Sequence, residues 1–170
     1  MNKTLFGILG LTALVALPAL AENTKICFEA EKPVSIQLPL RKTVKGADPS
    51  YAGAGYLEIP WDGNKLKGKG QAVYKFRAPK SGLFTLWART MWAQGCGNSI
   101  LVSVNGDTPE IIGQDGTYGD WHWLRGARVK LKAGTNTLVL KNRETGIKVD
   151  QFFLCTDTGY TPTHTRKDTQ

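Results

Sequence analysis

The sequence predicts an all-β domain, a β-sandwich or jelly roll, from three observations. Short runs rich in β-branched and aromatic residues recur at regular spacing, turn-forming residues stand between them, and almost no stretch carries helical periodicity. The runs fall at 26–31, 56–59, 71–77, 82–91, 99–104, 122–124, 127–131, 136–141 and 149–155. Alternation is clearest in Val73-Tyr74-Lys75-Phe76-Arg77 and Val129-Lys130-Leu131-Lys132, the pattern of strands with one face in a core and one in water. Pro79-Lys80-Ser81-Gly82, Asn105-Gly106-Asp107 and Ala133-Gly134-Thr135-Asn136 supply the turns. Many short strands separated this way imply two packed sheets. From Thr161 onward the chain is polar without apolar periodicity, which predicts a flexible tail over 161–170.

Ahead of the first strand, Lys3 precedes an apolar run at 5–17, then Pro18 and Ala19-Leu20-Ala21. This is the pattern of a signal peptide over 1–21, cleaved after Ala21, and the run is too short to span a bilayer comfortably. The expectation is a secreted or periplasmic protein, with no membrane insertion after cleavage and a single domain over 22–160. The formal charge is +8, and Lys3 is the one charged side chain of the leader. The remaining excess of cations favours anionic partners by long-range attraction. The basic residues are interspersed rather than gathered into a stripe, which excludes nucleic acid as the natural partner.

Three cysteines in an exported chain read as one disulfide plus one thiol. Cys27 and Cys155, in the first and last predicted strands, are the expected pair. Cys96, bracketed by Gly95 and Gly97, is then a buried thiol, an intermolecular link or a reactive site. With only His122 and His164 in the chain and no CxxC, nothing points to a transition metal.

The order of motifs says more. Glu29-Ala30-Glu31, Gly55-Tyr56-Leu57-Glu58-Ile59-Pro60, Tyr74-Lys75-Phe76-Arg77-Ala78-Pro79 and Gly82-Leu83-Phe84-Thr85-Leu86-Trp87-Ala88-Arg89 come first. Asn98-Ser99, Val102-Ser103-Val104-Asn105-Gly106, Trp121-His122-Trp123, Leu131-Lys132-Ala133-Gly134-Thr135-Asn136-Thr137-Leu138 and Arg143-Glu144-Thr145-Gly146-Ile147-Lys148-Val149-Asp150 follow. This series, spanning nearly the whole mature chain, resembles the carbohydrate-binding modules of families six and thirty-five, with their galactose-binding-like jelly roll.

The resemblance implies a structural Ca2+ held by Glu29, Glu31 and Asp150. Two carboxylates at i and i+2 project from one side of a strand, where a third from a neighbouring strand can meet them. The alternative is that the glutamates are exposed and paired with lysines.

It also implies a sugar site, which needs an aromatic ring for flat C–H faces and planar polar groups for hydroxyls. By that likeness Trp121 faces the ligand and Trp123 the core, while Tyr51 faces the tryptophan across the cleft. Asn98, after a glycine-rich loop, either offers its amide to a ligand or bonds its own backbone. Trp92 either forms a second cleft wall or caps the core. Where the family pattern often reads N-x-D, this chain has Lys148-Val149-Asp150. With Arg143 this tilts the expected ligand towards a carboxylated sugar. Otherwise Arg143 pairs locally with Glu144 and Lys148 is solvated.

The function expected from the sequence is therefore exported, non-catalytic binding of a polysaccharide or cell-surface glycan. A structural or adhesive module with a protein partner is the alternative, since exposed Trp and Tyr also anchor protein interfaces. A glycoside hydrolase or polysaccharide lyase fits less well: Asp107, Glu110, Asp115 and Asp120 are scattered, no nucleophile motif is present, and only Asp120 to His122 with Arg125 could be imagined as a lyase base and its partner.

Overall fold

The computed structural model describes residues 23–44 and 50–170, so the leader expected over 1–21 lies outside the described residues. Eleven strands make up the fold: β1 (Lys25–Glu29), β2 (Ser35–Ile36), β3 (Arg41–Val44), β4 (Gly55–Ile59), β5 (Gln71–Ala78), β6 (Gly82–Trp92), β7 (Ser99–Val104), β8 (Glu110–Gly113), β9 (His122–Leu131), β10 (Gly134–Asn142) and β11 (Ile147–Cys155). No helix occurs among the described residues. One sheet runs β3-β4-β11-β6-β9, with β1 also paired to β11, and the other runs β2-β5-β10-β7-β8. All pairings are antiparallel. The fold is therefore the all-β sandwich that the alternating runs predict.

Period-two alternation sends one side of each strand inward. Phe28 and Phe152 from the first sheet meet Tyr74 and Phe76 from the second, with Phe28 stacked on Phe76 at 5.1 Å and Tyr74 edge-on to Phe152 at 5.3 Å. The buried Tyr74 hydroxyl donates to the Ala30 carbonyl at 2.8 Å, so the phenol satisfies its polar atom inside the core. Truncating such a ring to alanine typically costs about 3–5 kcal/mol.

Three strands escape the sequence pattern. β2, β3 and β8 are short edge strands, and Arg41-Lys42-Thr43-Val44 of β3 carries no apolar alternation because it is largely exposed. Conversely, the runs at 122–124 and 127–131 are one strand, β9. Gly126 there is not a break: a Cβ would lie 2.8 Å from Ile112 Cδ1, so the glycine admits a side chain from the opposite sheet.

The outer face of the first sheet carries a second apolar cluster of Cys27, Trp87, Phe153 and Cys155, flanked by Trp123 and Tyr160. The 161–170 segment, expected to be flexible, instead lies along this face. Trp123 Nε1 donates to the His164 carbonyl at 2.7 Å, Arg166 and Gln151 exchange two hydrogen bonds at 2.8 and 2.6 Å, and Thr169 N donates to the Cys27 carbonyl at 2.9 Å. Polar groups satisfying a strand edge order it, and such contacts leave no hydrophobic period in the sequence.

The expected Cys27–Cys155 disulfide is likewise corrected. Both cysteines are buried thiols, and Cys96 is an exposed one. Although β1 and β11 are neighbours, the register sets Cys27 opposite Phe153 and Cys155 opposite Lys25. The thiols are thus diagonal on one face, where Cβ atoms lie farther apart than a disulfide accepts.

Candidate functional site

At one end of the sandwich β4 stops, β6 stops and β11 begins, with Ile147 in register with both Ile59 and Trp92. The loops leaving these strands enclose a cavity of about 260 Å³ lined by Glu58, Pro60, Trp61, Met91, Gly119 and Lys148, among others. Trp61 is 42% exposed, a large apolar ring left facing solvent at the cavity wall.

Its loop is fixed from both sides. Gly97 and Gly146 pass so close to the indole that a Cβ on either would lie 3.4 or 3.2 Å from Cε3, and Gly146 has φ +80°. Thr145 Oγ1 donates to Asp62 Oδ1 at 2.7 Å, Thr145 N donates to Asn64 Oδ1 at 2.8 Å, and Asn64 Nδ2 donates to the Cys96 carbonyl at 2.8 Å. The ring is thereby held in place before any ligand arrives, which lowers the entropic cost of binding.

The polar groups of the cavity differ in their freedom. Glu58 Oε1 accepts from Arg41 Nε and Nη2 at 3.0 and 2.9 Å and from Thr43 Oγ1 at 2.6 Å. Among the described residues Lys148 Nζ has only the Met91 sulfur at 3.9 Å and the Tyr56 ring at 5.3 Å. The anion is compensated and the cation is not, so the cavity favours a ligand with acceptor or negative groups.

Of the residues singled out in the sequence, three gather on this side. Tyr51 packs edge-on to Tyr56 at 5.4 Å, Tyr56 edge-on to Trp121 at 5.5 Å, and Lys148 lies over Tyr56, forming one aromatic row beside the cavity. Trp121 is half-buried and Arg89 lies 5.4 Å from its ring centre, while Tyr51 is buried. Trp123 joins the outer cluster with Phe153 at 6.0 Å rather than the main core.

Three others are tied into the core or into a bracing network. Trp92 backs the cavity from the core side, where it is fully buried because the β6 alternation turns it inward with Leu86 and Ala88. Arg143 Nη1 pairs with Glu144 Oε1 at 2.6 Å, and Glu144 Oε2 accepts from Ser99 Oγ at 2.6 Å and from the Asn98 backbone at 3.2 Å. Asn98 and Arg143 therefore belong to a partly buried bracing network, and neither lines the cavity. Trp61, Tyr56 and Met91 were missed as site residues. The signal for Trp61 is present: an aromatic between Pro60 and the turn residues Asp62-Gly63-Asn64 cannot be buried by strand alternation.

The acidic residues form a separate site on the outer face of the first sheet. Glu29 and Glu31 close on Gly53, where a Cβ would lie 2.5 Å from Glu31 Oε1 and 3.5 Å from Glu29 Oε2. Gln151 Nε2 donates to Glu29 Oε1 at 2.9 Å, but Glu29 Oε2 and Glu31 Oε2 are buried without a hydrogen-bond partner among the described residues. Burial pushes the Glu29 carboxyl up to about 7 against the Gln151 bond, and the neighbouring Glu31 and Asp150 add to the rise. Glu31 is also raised, chiefly by burial.

Asp150 stands near the pair, and its Oδ1 accepts from the Ala52 backbone at 2.9 Å and its Oδ2 from Arg89 Nη1 at 2.6 Å. Among the described residues no three His, Cys, Asp or Glu side chains are grouped to hold a metal. The two orphaned glutamate oxygens are nonetheless hard donors of the kind calcium takes, and the pair fits one cation with further oxygens drawn from backbone or water.

No family model matches the chain, and no curated protein does. Solved structures do. A family 35 carbohydrate-binding module from Clostridium thermocellum is 18% identical with a TM-score of 0.60, covering 76% of this chain and 98% of that one. The C-terminal family 6 module of a marine laminarinase from Zobellia galactanivorans is 19% identical with a TM-score of 0.55, covering 78% and 98%. A Podospora anserina β-(1,4)-mannanase carrying a family 35 module is 21% identical with a TM-score of 0.60, and the match covers 82% of this chain but only 29% of that one. The class the fold defines is thus a jelly-roll β-sandwich of the carbohydrate-binding-module type. Within that class it is the fold of families 6 and 35 that the chain adopts.

Proposed function

We propose that the protein binds a polysaccharide or cell-surface glycan without cleaving it, in a cavity walled by Trp61. The observation that carries this reading is the exposed, braced indole beside a cavity where Lys148 has no ion pair among the described residues. An indole face stacks on the C–H face of a sugar ring, and the ammonium donates three hydrogen bonds to hydroxyl or carboxylate oxygens. The compensated Glu58 leaves Lys148 as the group that sets charge preference, which favours a sugar bearing a carboxylate. The half-buried Trp121 stands beside the cavity, packed on the buried Tyr56, which in turn packs on Tyr51.

The non-catalytic reading is supported by the chemistry of the cavity. Glycoside hydrolysis uses two carboxyl groups across the scissile bond. Glu58 is the carboxylate lining this cavity, and it is held by Arg41 and Thr43. Export, to a periplasm or beyond, rests on the N-terminal leader pattern. A structural calcium between Glu29 and Glu31 is part of the proposal, with the orphaned oxygens as its support.

The test is affinity electrophoresis of the mature protein through gels containing neutral or uronic-acid polysaccharides, beside Trp61→Ala, Trp121→Ala and Lys148→Gln. Retention on a uronic-acid gel, lost in Trp61→Ala and weakened in Lys148→Gln, is the expected result. A folded protein retained by no polysaccharide would transfer the aromatic surface to a protein partner instead.

A further inference from the structure

A second cavity, of about 450 Å³, lies on the other side of the Pro60 turn, sharing Ile59 and Pro60 with the first. Its chemistry is different. Leu38, Pro39, Pro60 and Leu66 give it an apolar surface, and Arg41 and Lys69 stand on its walls. Leu38 is 83% exposed and Leu66 37%, so these leucines serve no core.

Both walls are fixed. On one side, Gly70 has φ +84°, and a Cβ there would lie 2.8 Å from the Gln37 carbonyl oxygen and from Pro39 Cδ, so the 37–39 segment is seated against backbone. On the other, Leu66 N donates to Asp62 Oδ2 at 3.1 Å and the Leu66 carbonyl accepts from Asn142 Nδ2 at 2.8 Å. The cavity is thus formed without a ligand, as small-molecule sites usually are.

The charges select the occupant. Asp62 is held by the Leu66 amide and the Thr145 hydroxyl, and Arg41 directs Nε and Nη2 to Glu58. Lys69 N donates to the Leu66 carbonyl at 3.2 Å, while its Nζ has neither hydrogen bond nor ion pair among the described residues. An apolar slot with two proline rings and an unpaired ammonium at its edge matches a flat apolar body ending in one negative charge. We propose that this cavity binds an aryl carboxylate, with the ring between Leu38, Pro39, Pro60 and Leu66 and the carboxylate at Lys69. The proposal stands apart from the saccharide reading, since it uses neither Trp61 nor Lys148.

The experiment is a titration of the ¹⁵N-labelled mature protein with 4-hydroxycinnamate, read by amide chemical shifts. Saturable shifts at Leu38, Leu66 and Lys69 are expected, unchanged in Trp61→Ala. Lys69→Gln should weaken binding by about fivefold at low salt, as should replacing the acid by its methyl ester. Leu66→Ser, a surface change checked by a retained spectrum, should weaken it by about tenfold or more. The proposal is overturned if no shifts appear at these residues, if they centre on Gly119 and Gly146 in the other cavity, or if acid and ester bind alike.

Discussion

Arg89 Nη1 lies 2.6 Å from Asp150 Oδ2, and the two side chains are 9% and 0% exposed. A carboxylate this buried depends on its partner, because removing one member strands a charge in a poorly solvated place. Arg89→Ala should lower the free energy of unfolding by about 3–5 kcal/mol in urea titrations. A loss below about 1 kcal/mol, the range of exposed pairs, would mean that the site is wet.

Stability should fall as pH rises in the absence of a divalent cation. Glu29 is raised from 4.5 to about 7, so the folded protein holds this proton more tightly than the unfolded chain. That contribution is fully present below the unfolded value and is lost as pH climbs through the folded one, on the order of 3 kcal/mol in all. Calorimetry in EDTA should show Tm dropping between about pH 5 and pH 8, and excess calcium should abolish the drop by replacing the proton. A flat profile in EDTA would refute the protonated Glu29.

Gly53→Ala should remove the response to calcium. The added Cβ would sit 2.5 Å from Glu31 Oε1 at a φ of +59°, displacing one carboxylate and straining the turn. Equal calcium-dependent Tm shifts in variant and parent would place the cation elsewhere.

Thiol titration separates the cysteines. One equivalent, Cys96, should react in the native protein, and three should react after denaturation without reductant. A denatured count of one would restore the Cys27–Cys155 bridge.

Removing residues 161–170 should redshift Trp123 fluorescence and lower Tm. The deletion takes away the His164 acceptor of the indole N–H and the Thr169 cap on β1. An unchanged spectrum would mean that the strap does not cover the ring.

What the sequence revealed follows from how each feature is encoded. Strands buried on one face, such as β5 and β10, announce themselves by period two, whereas β2 and β3 at sheet edges pack against little and leave no period. That Trp121, Tyr51 and Lys148 lie near one another was legible through motif order. Whether Trp92 serves the core, the cavity or both was not, because a strand-end position does not reveal which side the alternation has reached. The pairing of Asp150 with Arg89 was not legible: Asp150 sits at a bulge between Val149 and Gln151 that no composition announces. The cysteine register failed for the same reason: adjacency of strands is visible in order, and a two-residue offset is not.

β11 begins at the Trp61 cavity and ends beside Thr24, whose amide donates to Thr156 Oγ1 at 3.0 Å. Its nine residues separate the two ends of the sandwich by roughly 26 Å. Thr24, Thr156 and Gln170, which caps the Arg77 amide, all lie at the end opposite the cavity. A tether fused before Thr24 or after Gln170 would therefore hold the domain by its base and leave the cavity pointing outward, so surface immobilisation through either point should preserve ligand capture.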